Sequence, residues 1–372
     1  MPVPAPAIPR GTGILLGIAG ATVAAAGIAS VRSIAAPVVL SLVLTICAYP
    51  VRRGLERRGV PRGLATGAVV TVVFGTLAAF VAALVLALAQ FTTLLPEFSE
   101  QIAALGETIG AWLSSIGIGA AQVRAIVEGF DPARLVDVVA GLFGGVTSLT
   151  ASLVVVLTTL ILMAVDASYL RAVFTELRPQ RPRVVASLES LASGIRRYMV
   201  ATTVLGIAQG GLNAIALALL GVPGALLWGL LAFLCSFIPN VGYFIAIIPP
   251  VVFGFLVGGW QVGVPVIVVY AVINAVVQTG VQPRVVGNAV ALSQTITFVS
   301  VLFWALILGP IGAVLAIPLT LMVRFLLIDT DPDAAWWRPV IGDLTRTKVL
   351  MSRLDAERKA QRRARRGASD QR

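Results

Sequence analysis

Histidine is absent from the 372 residues, cysteine occurs twice, and charged residues make up only 12% of the chain. Without histidine the commonest general base and metal ligand is missing. Cys47 and Cys235 both lie inside apolar runs, which argues against a zinc site, a Cys–His nucleophile or a disulfide framework. Each reads as a small buried hydrophobe. Lysine is nearly missing as well: Lys348 and Lys359 are the only two. Neither follows a glycine-rich turn, so the chain has no phosphate-binding loop with which to hydrolyse ATP. Gly11-Thr-Gly13 opens an apolar helix with no strand before it, the wrong setting for a dinucleotide turn. Acidic residues vanish between Glu189 and Asp329. A proton or sodium carrier places Asp, Glu or His at membrane depth, so this interval leaves little room for a carboxylate mechanism. The expectation is a protein that is not an enzyme and holds no metal and no cofactor.

Apolar residues are abundant. They form 58% of the chain, against roughly 45 to 50% in a soluble domain. At roughly 20 residues per bilayer crossing, that supplies about eight to ten spans. The fold class expected is therefore all-α, a polytopic transmembrane bundle of about eight spans. The net charge of +11 sits in links: Arg52, Arg53, Arg57, Arg58 and Arg62, then six arginines from Arg171 to Arg197, then eleven basic residues after Ile328. Phe91 to Val146 carries six acidic residues and only Arg124 and Arg134. By the positive-inside rule the basic links face the cytoplasm and the acidic stretch lies outside. An even number of crossings then puts both termini in the cytoplasm of a bacterial inner-membrane protein. The basic tail suits anionic lipid and no nucleic acid is expected.

Along the chain, 1–90 reads as three transmembrane helices. Gly13 to Val31 has too long an apolar core for a signal peptide and pairs with Ile34 to Pro50 as a hairpin turning at Arg32; Leu64 to Gln90 follows. The external region 91–147 holds an apolar stripe at Phe98, Ile102, Leu105, Ile109, Trp112 and Ile116. A second helix opens at Asp131-Pro132, an N-cap followed by proline. These helices pack on the outer surface or on each other, or they form the seam of a homo-oligomer. Span four is 148–170, with Asp166 as an interfacial or structural residue that caps the helix or pairs with Arg171. The connector 171–197 is interrupted by Pro179 and Pro182, the core is 198–328, and the tail is 329–372. In the core, Ala225 to Val257 and Thr295 to Ile328 exceed one crossing and contain helix breakers: Pro239, Gly242, Pro249 and Pro250 in one, Gly309, Pro310, Gly312 and Pro318 in the other. Irregular backbone at membrane depth is tolerated where it is buried or lines a cavity, so two such segments in one half predict broken or re-entrant helices at a transport site.

The most specific motifs are Gly221-Val-Pro-Gly-Ala-Leu-Leu-Trp228, Phe237-Ile-Pro-Asn-Val-Gly242 followed by Ile248-Pro-Pro250, Gln282-Pro283-Arg284-Val-Val-Gly287, and Gly309-Pro-Ile-Gly312 leading to Ala316-Ile-Pro-Leu319. Through them the whole chain resembles the autoinducer-2 exporter family of bacterial membrane proteins. The resemblance implies eight spans and export of small signalling molecules, with some members proposed as sodium/proton antiporters. Members usually carry an acidic residue just before the Gln-Pro motif. Asn274, Gln278 and Gln282 are the polar residues here, which weighs against the antiporter.

What remains in the core is amide chemistry. Gln209 and Asn213 are four apart, as are Asn274 and Gln278, so each pair shares a helix face. Amides both donate and accept, which suits a neutral polyhydroxylated solute, or they join helices to one another. The candidate path residues are Gln209, Asn213, Pro239, Asn240, Gly242, Asn274, Gln278, Gln282, Pro283, Gly309, Pro310 and Gly312, with Arg284 near the outer side or in a re-entrant element. Gly13/Gly17, Gly206/Gly210 and Gly254/Gly258 are spaced for close helix packing. The function expected is secondary export of a small polar or signalling metabolite across the lipid bilayer. The alternatives are a monovalent cation/proton antiporter and a non-transporting oligomeric scaffold.

Overall fold

A computed structural model describes residues 10–119, 121–122, 152–281, 292–330, 351–355 and 357–358. Among them every regular element is helical. The chain runs α1 (Arg10–Ser30), α2 (Arg32–Arg57), α3 (Arg62–Leu94), a 3-10 turn (Leu95–Phe98) and α4 (Ser99–Ser115). Next come α5, described over Ser152–Asp166, then α6 (Leu170–Gln180) and α7 (Pro182–Leu219). The second half continues with α8 (Ala225–Cys235), α9 (Gly242–Gly258) and α10 (Trp260–Ala275), which runs on into a π-helical turn, Val276–Val281. It closes with α11 (Gln294–Leu308), α12 (Pro310–Val314), α13 (Ala316–Arg324) and a second π-helical turn, Phe325–Asp329. The second external helix expected at Asp131, and Gln282, Pro283 and Arg284, lie outside the described residues.

Four helical stretches, Arg32–Arg57, Arg62–Leu86, Pro182–Leu219 and Trp260–Gln278, are long and apolar enough to cross a bilayer. Their outward faces carry exposed Val72, Val204, Ile207 and Val272, side chains that lipid accepts and water does not.

Two local expectations change. Gly13–Val31 and Ile34–Pro50 do not lie side by side as a hairpin: the chain bends at Val31, and α1 packs along α11 more than along α2, with Ala25 and Ala29 against the core. Gly17 accordingly has open space around it. In the connector, Pro179 sits inside α6, and the break falls at Arg181. Pro182 then occupies the first turn of α7, where a missing N–H costs nothing, so the second half of the connector and the span form one helix of 38 residues.

The C-terminal half is a series of antiparallel hairpins. Gly210 lies against the Gly229 carbonyl and Gly229 against Ala214, which brings α7 and α8 into backbone contact. Gly254 faces Gly263 in the same way between α9 and α10. The expected packing glycines at 206/210 and 254/258 are therefore used as such. At 11 residues, α8 spans about 16 Å, too little for a hydrocarbon core of about 30 Å. The chain reverses after it, placing Gly242 against the Cys235 carbonyl and Ala246 with Ala232 and Cys235. Thus α8 and α9 form a hairpin that folds back on itself. The segment from α11 to α13 does likewise: Gly309 turns the chain (φ 69°, ψ −152°), Gly312 packs on the Trp304 carbonyl, and Trp304 Nε1 donates to Thr320 Oγ1 at 3.1 Å. Both interrupted segments fold back on themselves as helical hairpins.

Candidate functional site

The tips of the two hairpins contribute to one buried cluster. Phe237 at the tip of the first shares one buried cluster with Ala313, Leu315, Ala316 and Ile317 at the tip of the second, together with Val43 of α2 and Ile195 and Tyr198 of α7. Ile238, Val241, Ile311 and Val314 pack around it. Along α7, Gly206 touches Ser236 of the first tip, while Ser187 Oγ donates to the Asp329 carbonyl at the base of the second hairpin at 3.2 Å. Both hairpins are therefore anchored along this long helix.

The first tip is strained. Asn240 adopts φ 65°, the only positive φ at a non-glycine among the described residues, and the Val241 N–H donates to the Pro239 carbonyl at 2.8 Å. That closes a tight three-residue turn and leaves Asn240 exposed. Asparagine is one of the few side chains that tolerate this region. At the second tip Pro310 is exposed, Gly309 half-buried and Gly312 buried.

Beside the first hairpin runs a seam of unpaired polar groups. Gln209 and Asn213 are buried on α7, at 7% and 1% exposure. Both amide atoms of Asn213, the Tyr270 hydroxyl and Asn274 Oδ1 are shielded from solvent without a hydrogen-bond partner. Leu217 of α7 shares a cluster with Val266 and Tyr270 of α10. The two helices run antiparallel, so stepping one turn from Leu217 reaches Asn213, and stepping from Val266 reaches Tyr270 and then Asn274. The Cys235 thiol at the end of α8 lies within electrostatic reach of Tyr270. Each unsatisfied buried group costs about 1–3 kcal/mol, so a seam of four such atoms is costly to the bundle as it stands. Gln278, expected to join Asn274, is exposed within the π-helical turn instead. Tyr270 was legible only as the residue four before Asn274, on the same face.

The arginine-rich end holds a cleft of about 960 Å³ between α2, α5, α6 and α7. Its wall includes Arg53, Asp166, Arg178, Glu189 and Arg196 among mostly apolar side chains. Arg178 pairs with Glu189. Arg52, one residue from Arg53, points elsewhere: its Nε pairs with Glu56 at 3.0 Å and its Nη1 donates to the Ala164 carbonyl at 2.6 Å, tying the ends of α2 and α5 together. Asp166 stands exposed at the end of α5, on this wall. Among the described residues no three acidic or cysteine side chains gather as metal ligands do.

Residues 14–330 match the family described as AI-2E family transporter. The chain is 28% identical to the AI-2 transport protein TqsA of Escherichia coli over 304 residues, 82% of this chain and 88% of that one. It is 28% identical to YhhT of Escherichia coli over 312 residues, 83% and 88% of the two chains. With MT0215 of Mycobacterium tuberculosis it shares 26% identity over 298 residues, 77% and 80% of the two chains.

Proposed function

The chain belongs to the AI-2E transporter family, and from that membership we propose that it is a secondary exporter of a small polar or signalling metabolite of the autoinducer-2 type. One observation carries the reading: the tips of two helical hairpins share one buried cluster, in a chain that also holds an open cleft and a seam of unpaired polar groups. A scaffold has no use for irregular backbone held at membrane depth, whereas a transporter needs an element with two discrete arrangements. The positive-inside rule orients the arginine-rich end toward the cytoplasm, so the cleft admits solute from inside and the joined tips close the outward route.

In this scheme the solute enters the cleft, displaces the tip contact around Phe237 and Leu315, and exchanges hydrogen bonds with Asn213, Tyr270 and Asn274. Gln209, Asn240, Gly242, Gly309, Pro310 and Gly312 shape the passage. Asp166 serves the cleft mouth as an interfacial residue, and homo-oligomerisation through the external helices keeps the hairpins from lipid on one flank. Comparing metabolites released by deletion, wild-type and overexpressing cells tests the reading. Accumulation outside should rise with expression and fall when Asn213 is replaced by Leu at equal protein level. Identical profiles in all cells would overturn it.

A further inference from the structure

Among the described residues on the cleft wall, one pair of charges is satisfied and three charges are not. Arg178 is matched by Glu189. Arg53 and Arg196 have no carboxylate partner, and Asp166, the remaining acid of the wall, pairs with neither. Arg53 Nε is shielded from solvent and finds no acceptor at all. Its neighbour Arg52 shows that this stretch of α2 can satisfy a guanidinium when structure alone is the purpose. Arg196 reaches over from α7 to within electrostatic range of Cys47 on α2, about 9 Å along the helix from Arg53. The two cations therefore line the same cleft from different helices. Along α2 from Arg53 the lining includes the apolar Ile46 and Leu42, and Met163 and Phe174 line the same cleft. Leu42 lies about 16 Å along the helix from Arg53. The cleft volume of about 960 Å³ is near the top of the range for small-ligand sites, roughly 300–1,000 Å³.

Building on the transporter reading above, we propose that this cleft binds an organic anion with an apolar body, its phosphate or carboxylate held by Arg53 and Arg196 and its body along Ile46, Leu42 and Phe174. Two guanidinium groups without protein counter-charges in a partly desolvated cleft are neutralised by an anion that enters. The apolar wall then selects against bare inorganic anions. This site is an entry station, distinct from the amide seam near the hairpin tips.

Calorimetric titration of the full chain in phosphatidylcholine nanodiscs with hexyl phosphate, hexanol and inorganic phosphate tests the proposal. Hexyl phosphate should bind at least tenfold more tightly than either half-molecule. Arg53→Gln and Arg196→Gln should each weaken it at least tenfold, while Arg53→Lys and Arg196→Lys, which keep the charge, retain most of it and show that the cleft still folds. Equal binding of hexyl phosphate by the wild type and by the double Gln variant, or equal binding of hexanol, would overturn it. Repeating the titration with phosphatidylglycerol present separates the two sources of such an anion. Suppressed binding, with lipid retained by wild type and lost from the double Gln variant, assigns the site to a lipid headgroup; an unchanged titration assigns it to a soluble solute. Absence of hexyl phosphate binding by the wild type, with export intact, would remove the inference and leave the transporter reading. Absent export with hexyl phosphate binding intact would do the reverse.

Discussion

Asn213 and Arg52 are both buried polar residues, and the structure gives them opposite surroundings. Arg52 is partnered through Nε and Nη1 and joins α2 to α5; Arg52→Gln should lower stability by about 2 kcal/mol, since hydrogen bonds to charged groups contribute about 1.5–3 each and Glu56 is partly solvated. Asn213 is 1% exposed with neither amide atom paired. Asn213→Leu should therefore raise the melting temperature or leave it unchanged while cutting export at least tenfold. A fall in melting temperature with export intact would make the amide a helix-joining group instead. Asp166→Asn separates the exporter from the antiporter: transport should persist without dependence on that carboxylate, and normal protein levels with proton-coupled transport abolished would favour the antiporter. The amide pairs were readable as residues because i and i+4 share a face. Their fates were not: the sequence does not say that a π-helical turn rotates Gln278 outward, or that Tyr270 joins the seam. Arg53 and Arg196 were readable only as positive-inside charge, because an arginine's partner is set by tertiary packing.

At the scale of elements, breakers mark where a helix stops and leave open which way the chain then goes. Pro239 and Gly309 were legible as interruptions. That each segment folds back rests on contacts between residues far apart in the hairpins, such as Ala232 with Ala246 and Trp304 with Thr320, which periodicity does not carry. The reversals depend on close backbone approach. A methyl at Gly242 meets the Cys235 carbonyl, and one at Gly312 meets that of Trp304. Gly242→Ala and Gly312→Ala should each cost about 1–3 kcal/mol through overpacking, read as loss of monodisperse protein in detergent chromatography. Gly17→Ala, in open space, should change nothing. Asn240→Gly should be tolerated, whereas Asn240→Val, forced to a left-handed φ, should cost about 1–2 kcal/mol. Retention of full stability by Asn240→Val would show that the tip relaxes freely. The α1/α2 hairpin was misread because two adjacent apolar runs look alike whether they pair with each other or with a distant helix, and α1 found α11.

For the whole molecule, composition alone carried the membrane-bundle class, since 58% apolar residues leave few other solvents. What it did not carry is the division into long helices α2, α3, α7 and α10 and two segments that fold back as hairpins. The central claim is that the passage runs between those tips. Single cysteines replacing Asn240 or Pro310, both exposed, in a chain lacking Cys47 and Cys235, should react with a small water-soluble thiol reagent, and a transported metabolite should change the rate at both positions together. Complete inaccessibility at both positions, or labelling that no transported solute alters, would contradict a passage between the tips and leave them as packing of the bundle core.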